Sequence, residues 1–266
     1  MNMNKFKYFF AALLFGAFAL SSCNKEPAVP ATRTVLARIV NSNDNLLDTF
    51  QYDENYRLIH VTSMNPFTNK YLNDITFTYS DDTIVAEGYE AGYYSTKYVC
   101  TLDSEGRIEK VERLFHHDGS MQVEHYFYTY DENGHLVSSR NSYLEESPDA
   151  TTTYTWVGDE IKKIVLADGL LIIDFETSKA PAEAFFTHFE FREILSYLCP
   201  QGCLGRIPAH LPSKITTNAY LNGTPIYSKY TDLKATIDEN GHLATLETFL
   251  NGSTEGSKHV LIWQEQ

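Results

Sequence analysis

Short aromatic and aliphatic segments alternate with polar turns along most of this 266-residue chain. The sextet Asp131–Leu136 recurs without change at Asp238–Leu243. Looser copies share its order of an acidic residue, a turn and an aliphatic residue, and they lie near positions 53, 81, 103 and 157. Most of the turns follow one another at about 22 to 28 residues, a spacing that fits one β-hairpin and a return turn per unit.

Each turn carries residues with a defined backbone role. An Asp side chain accepts hydrogen bonds from N–H groups about two residues further on, and a following Gly supplies the positive φ of a tight turn. The first copy has Tyr56 where the others have Gly, so we expect a longer turn or another turn type there. The predicted turn-forming residues are Asp53, Asp103, Gly106, Asp131, Gly134, Asp238 and Gly241.

The strands that leave these turns place their first two aliphatic residues three positions apart, as in Leu58 and Val61. Same-face side chains in a regular strand are two positions apart. A β-bulge after the first aliphatic residue would return both to one face and increase the twist. We therefore predict a bulge there, because turns at this density leave no room for a turn of helix instead.

The repeat is interrupted after an apolar run at 169–175, which predicts a strand buried on both faces. A helix is predicted next, with Ser178 as its cap, Pro181 in its first turn and a body reaching Leu198. Its apolar residues spread around more than one side, whereas a surface helix shows one apolar stripe. We expect this helix to lie against or inside a curved sheet; the alternative is a helix that covers one sheet face.

The N-terminal segment has the features of an export signal. Lys5 and Lys7 precede an apolar run that is too short to span a membrane comfortably, and the run ends in Leu20-Ser21-Ser22-Cys23. This ending resembles a bacterial lipobox and predicts lipidation of Cys23; the alternative is an ordinary secretory peptide with an incidental Cys. Acyl chains on Cys23 would anchor the protein to a lipid bilayer.

These features together resemble a known group of proteins. The Tyr-Asp turns, as at Tyr130-Asp131, are similar to the tyrosine-aspartate hairpin repeats of Rhs-type proteins. With the lipobox and the segment Leu211-Pro212-Ser213-Lys214-Ile215, the chain resembles secreted Bacteroidetes-type lipoproteins of a domain-of-unknown-function family with a porin-like fold. The resemblance implies an outer-membrane lipoprotein of a diderm bacterium, facing the periplasm or the cell surface, and it supplies no catalytic residue.

The expected fold is mainly β: an antiparallel hairpin-repeat meander, strongly curved or barrel-like, with one helix near 181–198 packed on or in it. The expected organisation is a signal peptide at 1–22, a flexible leash at 23–34 and one domain at 35–266 with a helical insertion at about 178–199. A transmembrane porin is not expected, because the strands carry charge on both faces.

Composition excludes some partners. A net charge of −14 disfavours nucleic acid, which requires a basic surface. Cys199 and Cys203 could form a disulfide in an oxidising compartment, or both could stay reduced. A zinc site with His188 and His210 and calcium binding by the Asp turns both fit the expected ligand spacing poorly. We predict no metal, cofactor or catalytic residue.

The 18 Tyr and 16 Phe residues can fill a core or form stacking platforms for a ligand. The predicted stacking residues are Tyr93, Tyr94, Tyr98, Tyr126 and Tyr128. We expect a non-enzymatic binding or scaffold lipoprotein with a concave aromatic surface for a glycan, a peptide or an apolar ligand. The alternative is a glycan-active hydrolase that uses dispersed Asp and Glu carboxylates.

Overall fold

A computed structural model describes residues 33–41, 46–68, 70–90, 94–117, 119–142, 150–166, 169–182 and 193–266. The chain forms one closed barrel of sixteen antiparallel strands, in which each strand pairs with its sequence neighbours and β1 pairs with β16. This confirms the predicted mainly β, barrel-like meander. The strands are β1 (Thr34–Asn41), β2 (Leu46–Tyr52), β3 (Leu58–Asn65), β4 (Lys70–Tyr79), β5 (Thr83–Glu90), β6 (Tyr94–Leu102), β7 (Ile108–His117), β8 (Ser120–Tyr130), β9 (Leu136–Ser142), β10 (Ala150–Val157), β11 (Glu160–Leu166), β12 (Leu171–Pro181), β13 (His210–Leu221), β14 (Thr224–Ile237), β15 (Leu243–Leu250) and β16 (Ser257–Glu265).

The up-and-down order gives the barrel two different ends. All the repeat turns lie at one end, which we call the repeat-turn end. The first and last residues of the barrel domain lie there too, because β1 begins and β16 ends at this end, where the backbones of Arg33 and Gln266 bond to each other. The other connections, which join β1 to β2, β3 to β4 and each later odd-numbered strand to the next strand, lie at the opposite end, called the far end.

The predicted bulges are confirmed. In the β6–β7 ladder, Leu102 pairs with Ile108 and Thr101 pairs with Lys110, so Glu109 is the extra residue directly after the first aliphatic one. The same shift follows the first aliphatic residue of four other return strands: Leu58, Leu136, Ile161 and Leu243. In the four strands that have a second aliphatic residue three positions on, both aliphatic side chains point to the interior; the Leu136 strand has Ser139 there instead.

The barrel interior is apolar near the repeat-turn end and polar further along. On β6, Cys100 and Tyr98 are buried in the apolar core, and the next inward residue, Thr96, is polar and equally buried. Other buried polar residues include Ser63, Asn73, Arg113, Glu124, Thr152 and Thr217. The outer wall carries cross-strand ion pairs between exposed side chains, such as Glu87 with Lys97 and Glu247 with Lys258.

The predicted helix is wrong at its start. Ser178 and Pro181 lie in β12, which continues to Pro181 and pairs there with His210 across a ladder irregularity. A strand end tolerates Pro because the missing N–H need not enter the ladder. Residues 183–192 lie outside the described part of the chain. The helix described, α1, spans Glu193–Ser196, and a 3-10 turn follows at Cys199–Gln201. Among the described residues, no helix is long and apolar enough to cross a membrane.

Candidate functional site

The repeat turns build the outer side of a site at the barrel mouth. In the turn at 103–107, Asp103 accepts hydrogen bonds from the backbone N–H groups of Glu105 and Arg107, both at 2.9 Å. Its second oxygen accepts a bond from Arg107 Nε at 2.8 Å. The same two backbone bonds to an Asp occur in the turns at Asp53, Asp131 and Asp238.

The fourth residue of each of these turns has a positive φ, as the predicted turns require. Gly106, Gly134 and Gly241 have φ values of 78°, 83° and 88°, and Tyr56 takes the same position with φ 62°. The first turn therefore has the same length and type as the others, and the expectation of a longer or different turn there is wrong. The backbone N–H groups of Asn55 and Arg57 donate to Asp53, and the Arg57 guanidinium forms an ion pair with the same carboxylate, so this turn is held although its left-handed residue is a Tyr.

The pKa values of the turn aspartates reflect these contacts. Partial burial alone would raise the pKa of Asp103, but hydrogen bonds from the Arg107 backbone and guanidinium outweigh it. The pKa of Asp103 therefore lies below its ordinary value. Asp53 and Asp131 are shifted in the same direction by their bonds to Arg57 and His135.

A second layer of contacts joins each turn to the next hairpin. The Arg107 guanidinium lies over the Tyr130 ring, 4.5 Å from its centroid. Correspondingly, the His135 ring stacks on Trp156 at a centroid distance of 4.6 Å, and its two nitrogens lie 3.1 Å and 3.2 Å from carboxylate oxygens of Asp131 and Asp159. The Arg or His after each Gly therefore fixes one turn relative to its neighbour.

Residues 193–209, called the plug segment, occupy the barrel mouth. Leu195, Leu198 and Leu204 are buried in the apolar core. The segment then crosses three successive repeat turns and bonds to each one. Ile108 N–H donates to the Cys203 carbonyl at 2.7 Å, Arg206 N–H to the Gly134 carbonyl at 2.8 Å, and Ala209 N–H to the Asp159 carbonyl at 3.0 Å. The bonds recur every three residues along 203–209, called the strap, which therefore follows the row of turns.

Between the strap and the turns lies an open cavity of about 560 Å³, called the mouth groove. Its polar lining residues are Glu105, Arg107, Asn133, Asp159 and Arg206. The arginines converge on Gly134, where an added Cβ would lie 3.6 Å from Arg107 Nη1 and 3.8 Å from Arg206 Cγ. A side chain at position 134 would therefore contact both groove arginines.

Each groove arginine faces a carboxylate. Arg107 lies 3.1 Å from Glu105, and Arg206 lies 3.0 Å from Asp159. Hydrogen bonds from His135 and then Arg206 hold the pKa of Asp159 below its ordinary value. The groove thus offers guanidinium donors beside carboxylate acceptors without a charge excess among these four side chains.

The prediction of an exposed aromatic stacking surface is wrong for Tyr98 and Tyr128. Tyr98 and Tyr128 are 0% and 5% exposed, packed within the apolar core. Tyr126 is half-buried and donates its hydroxyl to Glu124 at 2.5 Å. Tyr94 begins β6, whereas Tyr93 lies outside the described residues, as does Cys23. Closing the sheet into a barrel turned the concave face into a packed core, which leaves Tyr98 and Tyr128 no open ring face.

Of the two alternatives for Cys199 and Cys203, a disulfide or two reduced thiols, the structure has the reduced one. Cys100, Cys199 and Cys203 are all free thiols, buried in the same core. His210, considered as a zinc ligand, instead bonds to Glu160 at 2.6 Å. In the described ranges, no three His, Cys, Asp or Glu side chains converge to hold a metal.

The groove could not be predicted from the sequence. Arg206 and Asp159 are 47 positions apart and meet only because the strap crosses the turns. The six-residue turn pattern did point to the region of Arg107 and Asn133, but it gave them a purely structural role. No pattern in the sequence assigns Arg206 to the same site.

The fold and mouth define a class: a closed, sixteen-stranded antiparallel barrel whose apolar interior is filled at one end. Two solved porin-like proteins, from Bacteroides uniformis and Bacteroides vulgatus, share this fold with a TM-score of 0.60 each. They are 13% and 12% identical to this chain, covering 88% and 87% of it and 95% and 99% of their own chains. No family model and no curated protein matches the sequence.

Proposed function

We propose that this protein is a lipid-anchored outer-membrane barrel that binds a glycan chain in the mouth groove and performs no chemistry on it. The observation that carries the proposal is the groove of about 560 Å³, which is lined by guanidinium, amide and carboxylate groups. Hydroxyl groups both donate and accept hydrogen bonds, so a polyhydroxyl ligand matches paired donors and acceptors. An apolar ligand is less suited, because core side chains fill the apolar interior.

The anchor is proposed at Cys23, and the barrel is proposed to stand outside the bilayer. A transmembrane barrel presents an apolar band to lipid. Here exposed ion pairs such as Lys163 with Asp174 lie on the outer wall instead. Replacing Cys23 with Ser should abolish labelling by radioactive palmitate and release the protein from the membrane fraction. Retention of the label on the C23S variant would contradict the anchor.

The groove is tested with the mature chain on a glycan array, followed by calorimetric titration of the glycans that bind. We expect Arg206→Ala to weaken binding at least tenfold, because it removes an exposed donor without a role in the core. Lys258→Ala, which breaks an exposed pair on the outer wall, is the matched control and should change binding less than twofold. Equal binding by wild type and R206A would overturn the groove assignment.

The alternative function, a glycan-active hydrolase, is not supported by the groove carboxylates. It would need a carboxyl with a raised pKa opposite a second carboxylate. The pKa of Asp159, a carboxylate of the groove, is instead lowered. Unchanged glycan after prolonged incubation is therefore the expected result, and cleavage that depends on Glu105 or Asp159 would restore the hydrolase alternative.

A further inference from the structure

His135 is a buried histidine whose two ring nitrogens both face carboxylates. Its side chain is 5% exposed. Its Nδ1 lies 3.1 Å from an oxygen of Asp131 in its own turn, and its Nε2 lies 3.2 Å from an oxygen of Asp159 in the turn between β10 and β11. The ring therefore joins two successive repeat turns.

This arrangement fits the doubly protonated form of the ring. Burial raises the pKa of Asp131, but hydrogen bonds from the His135 backbone and ring outweigh it, and bonds from His135 and then Arg206 lower the pKa of Asp159. Both carboxylates are therefore ionised near neutral pH and can only accept hydrogen bonds. A neutral imidazole has a single N–H, so only the imidazolium ion donates to Asp131 and Asp159 at once.

The other repeat turns also place a cation at this position. Arg57 and Arg107 occupy it in two turns, and each guanidinium donates to the Asp that begins its own turn. His135 and His242 occupy it in the two identical copies. Arginine stays charged, whereas histidine changes charge between about pH 5 and 8. The two His turns therefore carry a titratable version of a contact that is permanent in the Arg turns.

The carboxylate opposite the His135 turn also holds the strap. Asp159 accepts a bond from the Arg206 side chain at 3.0 Å, and its backbone carbonyl accepts one from the Ala209 N–H at 3.0 Å. The Arg206 N–H donates to the carbonyl of Gly134, the residue directly before His135. Two of the three backbone bonds of the strap thus end on the turns that His135 joins.

We propose that His135 is a pH-dependent latch, which holds the strap beside the mouth groove while its ring is protonated. Loss of the proton leaves one N–H, which we assign to Nδ1 because Asp131 lies in the same turn. The bond to Asp159 is then lost. The contribution of the latch is therefore present at low pH and disappears as the pH rises.

The consequence for ligand binding rests on the proposed function. Asp159 and Arg206 line the groove, and the strap forms one of its sides. A strap that is held less firmly leaves these two groups less well placed for a glycan, because ordering them then costs conformational entropy on binding. Glycan binding should therefore weaken as the pH rises from about 5.5 to about 8.

Other charged groups near His135 have to be separated from it. Arg107 Nη1 approaches Gly134 and stays charged throughout this range. His210 bonds at 2.6 Å to Glu160, the residue after Asp159, and histidine titrates in this same range. His210→Gln is therefore one control, and it should leave the response of the strap to pH unchanged.

The strap is tested by amide hydrogen exchange of the mature chain at about pH 5.5 and pH 8, corrected for the intrinsic effect of pH on exchange. We expect the protection of the Arg206 and Ala209 amides to fall at least fivefold at the higher pH. His135→Arg supplies a permanent cation and should keep it equal at both pH values. His135→Asn should give low protection at both, whereas the matched control His242→Arg should keep the wild-type fall. Circular dichroism checks the unfolding midpoint of each variant.

The charge on His135 can be read from Trp156, which stacks on its ring at a centroid distance of 4.6 Å. The sequence has two Trp residues, and Trp263 stacks on His242, so Trp263→Phe leaves Trp156 as the single reporter. A protonated imidazole quenches the fluorescence of a stacked indole. Emission of W263F should therefore rise in one step between about pH 5 and 8, and adding His135→Asn should remove the step.

Three results would overturn the proposal. Strap protection that falls equally in wild type and H135R would exclude the latch, and so would Trp156 emission without a step. Glycan affinity that is equal at both pH values in wild type, where we expect it to be at least threefold weaker at pH 8, would exclude regulation of the groove. Failure of every glycan to bind would remove the proposed function alone, because exchange and emission are measured without a ligand.

Discussion

Tyr130 donates its hydroxyl to the carbonyl of Ile108 at 2.6 Å. This carbonyl lies two residues before the point where the β7–β8 ladder begins, at Lys110. Equivalent bonds run from Tyr79 to Leu58, Trp156 to Leu136 and Trp263 to Leu243. In these four strands, the aromatic residue near the strand end satisfies a carbonyl that the ladder leaves open, which gives a physical reason for its place before the turn.

Replacing Tyr130 with Phe should lower the free energy of unfolding by about 1 kcal/mol, because the Ile108 carbonyl loses a partly buried donor. Urea denaturation of the mature chain measures the change. Tyr227→Phe is the matched control: this exposed side chain has no described hydrogen bond, and its effect should stay within about 0.5 kcal/mol. Equal stability of Y130F and wild type would show that water replaces the bond.

The hairpin repeat and its bulges were predictable because both depend on residues within six positions of each other. Asp103 bonds to backbone groups two and four residues ahead, and the spacing from Ile108 to Val111 fixes the bulge. Closure was harder to predict, since the β1–β16 ladder joins residues more than 200 positions apart. The burial of Tyr98 and Tyr128 follows from closure, and the groove follows from the path of the strap.

Gly205 lies against the neighbouring turn with little space. A Cβ there would lie 2.5 Å from the Gly134 carbonyl oxygen and 2.8 Å from the Tyr130 ring, at a φ of 82°. Gly205→Ala should therefore lower the free energy of unfolding by about 3 kcal/mol or more, since backbone strain and a clash add. Gly106→Ala has a similar φ of 78° but no atom within 4 Å, so it should lose only about 1 kcal/mol. Similar losses in both variants would mean that the strap shifts freely.

Arg113 and Glu124 form an ion pair at 3.0 Å inside the barrel, with side chains 10% and 3% exposed. Glu124→Gln should lower the free energy of unfolding by about 3 kcal/mol, because it leaves the Arg113 charge buried without its carboxylate. The outer-wall pair of Glu87 and Lys97 is 58% and 44% exposed, so Glu87→Gln should cost less than about 0.5 kcal/mol. A loss for E124Q as small as that for E87Q would indicate that water reaches the pair.

The buried thiols should resist modification in the folded protein. Burial raises the pKa of Cys100 to about 12 and that of Cys203 to about 11, so little thiolate forms at pH 8. A maleimide pulse followed by mass spectrometry should label Cys100, Cys199 and Cys203 only after denaturation. A peptide from the isolated protein two mass units lighter than its reduced form would instead reveal an oxidised pair at 199 and 203.

The repeat turns should also make stability depend on pH. Asp103 has a folded-state pKa below its ordinary value, so its ionised form favours the folded chain. This contribution is fully present above the unfolded pKa of about 3.9 and is lost as the pH falls through the lower folded-state pKa. Asp103→Asn should therefore be less stable than wild type at pH 7, and the difference should shrink below about pH 4. Ser104→Ala, in the same turn but without an ionisable group, should differ from wild type by an amount independent of pH. Urea titrations between pH 3 and pH 7 measure both differences, and a constant gap for D103N would mean that the ion pair with Arg107 adds nothing to the stability of the turn.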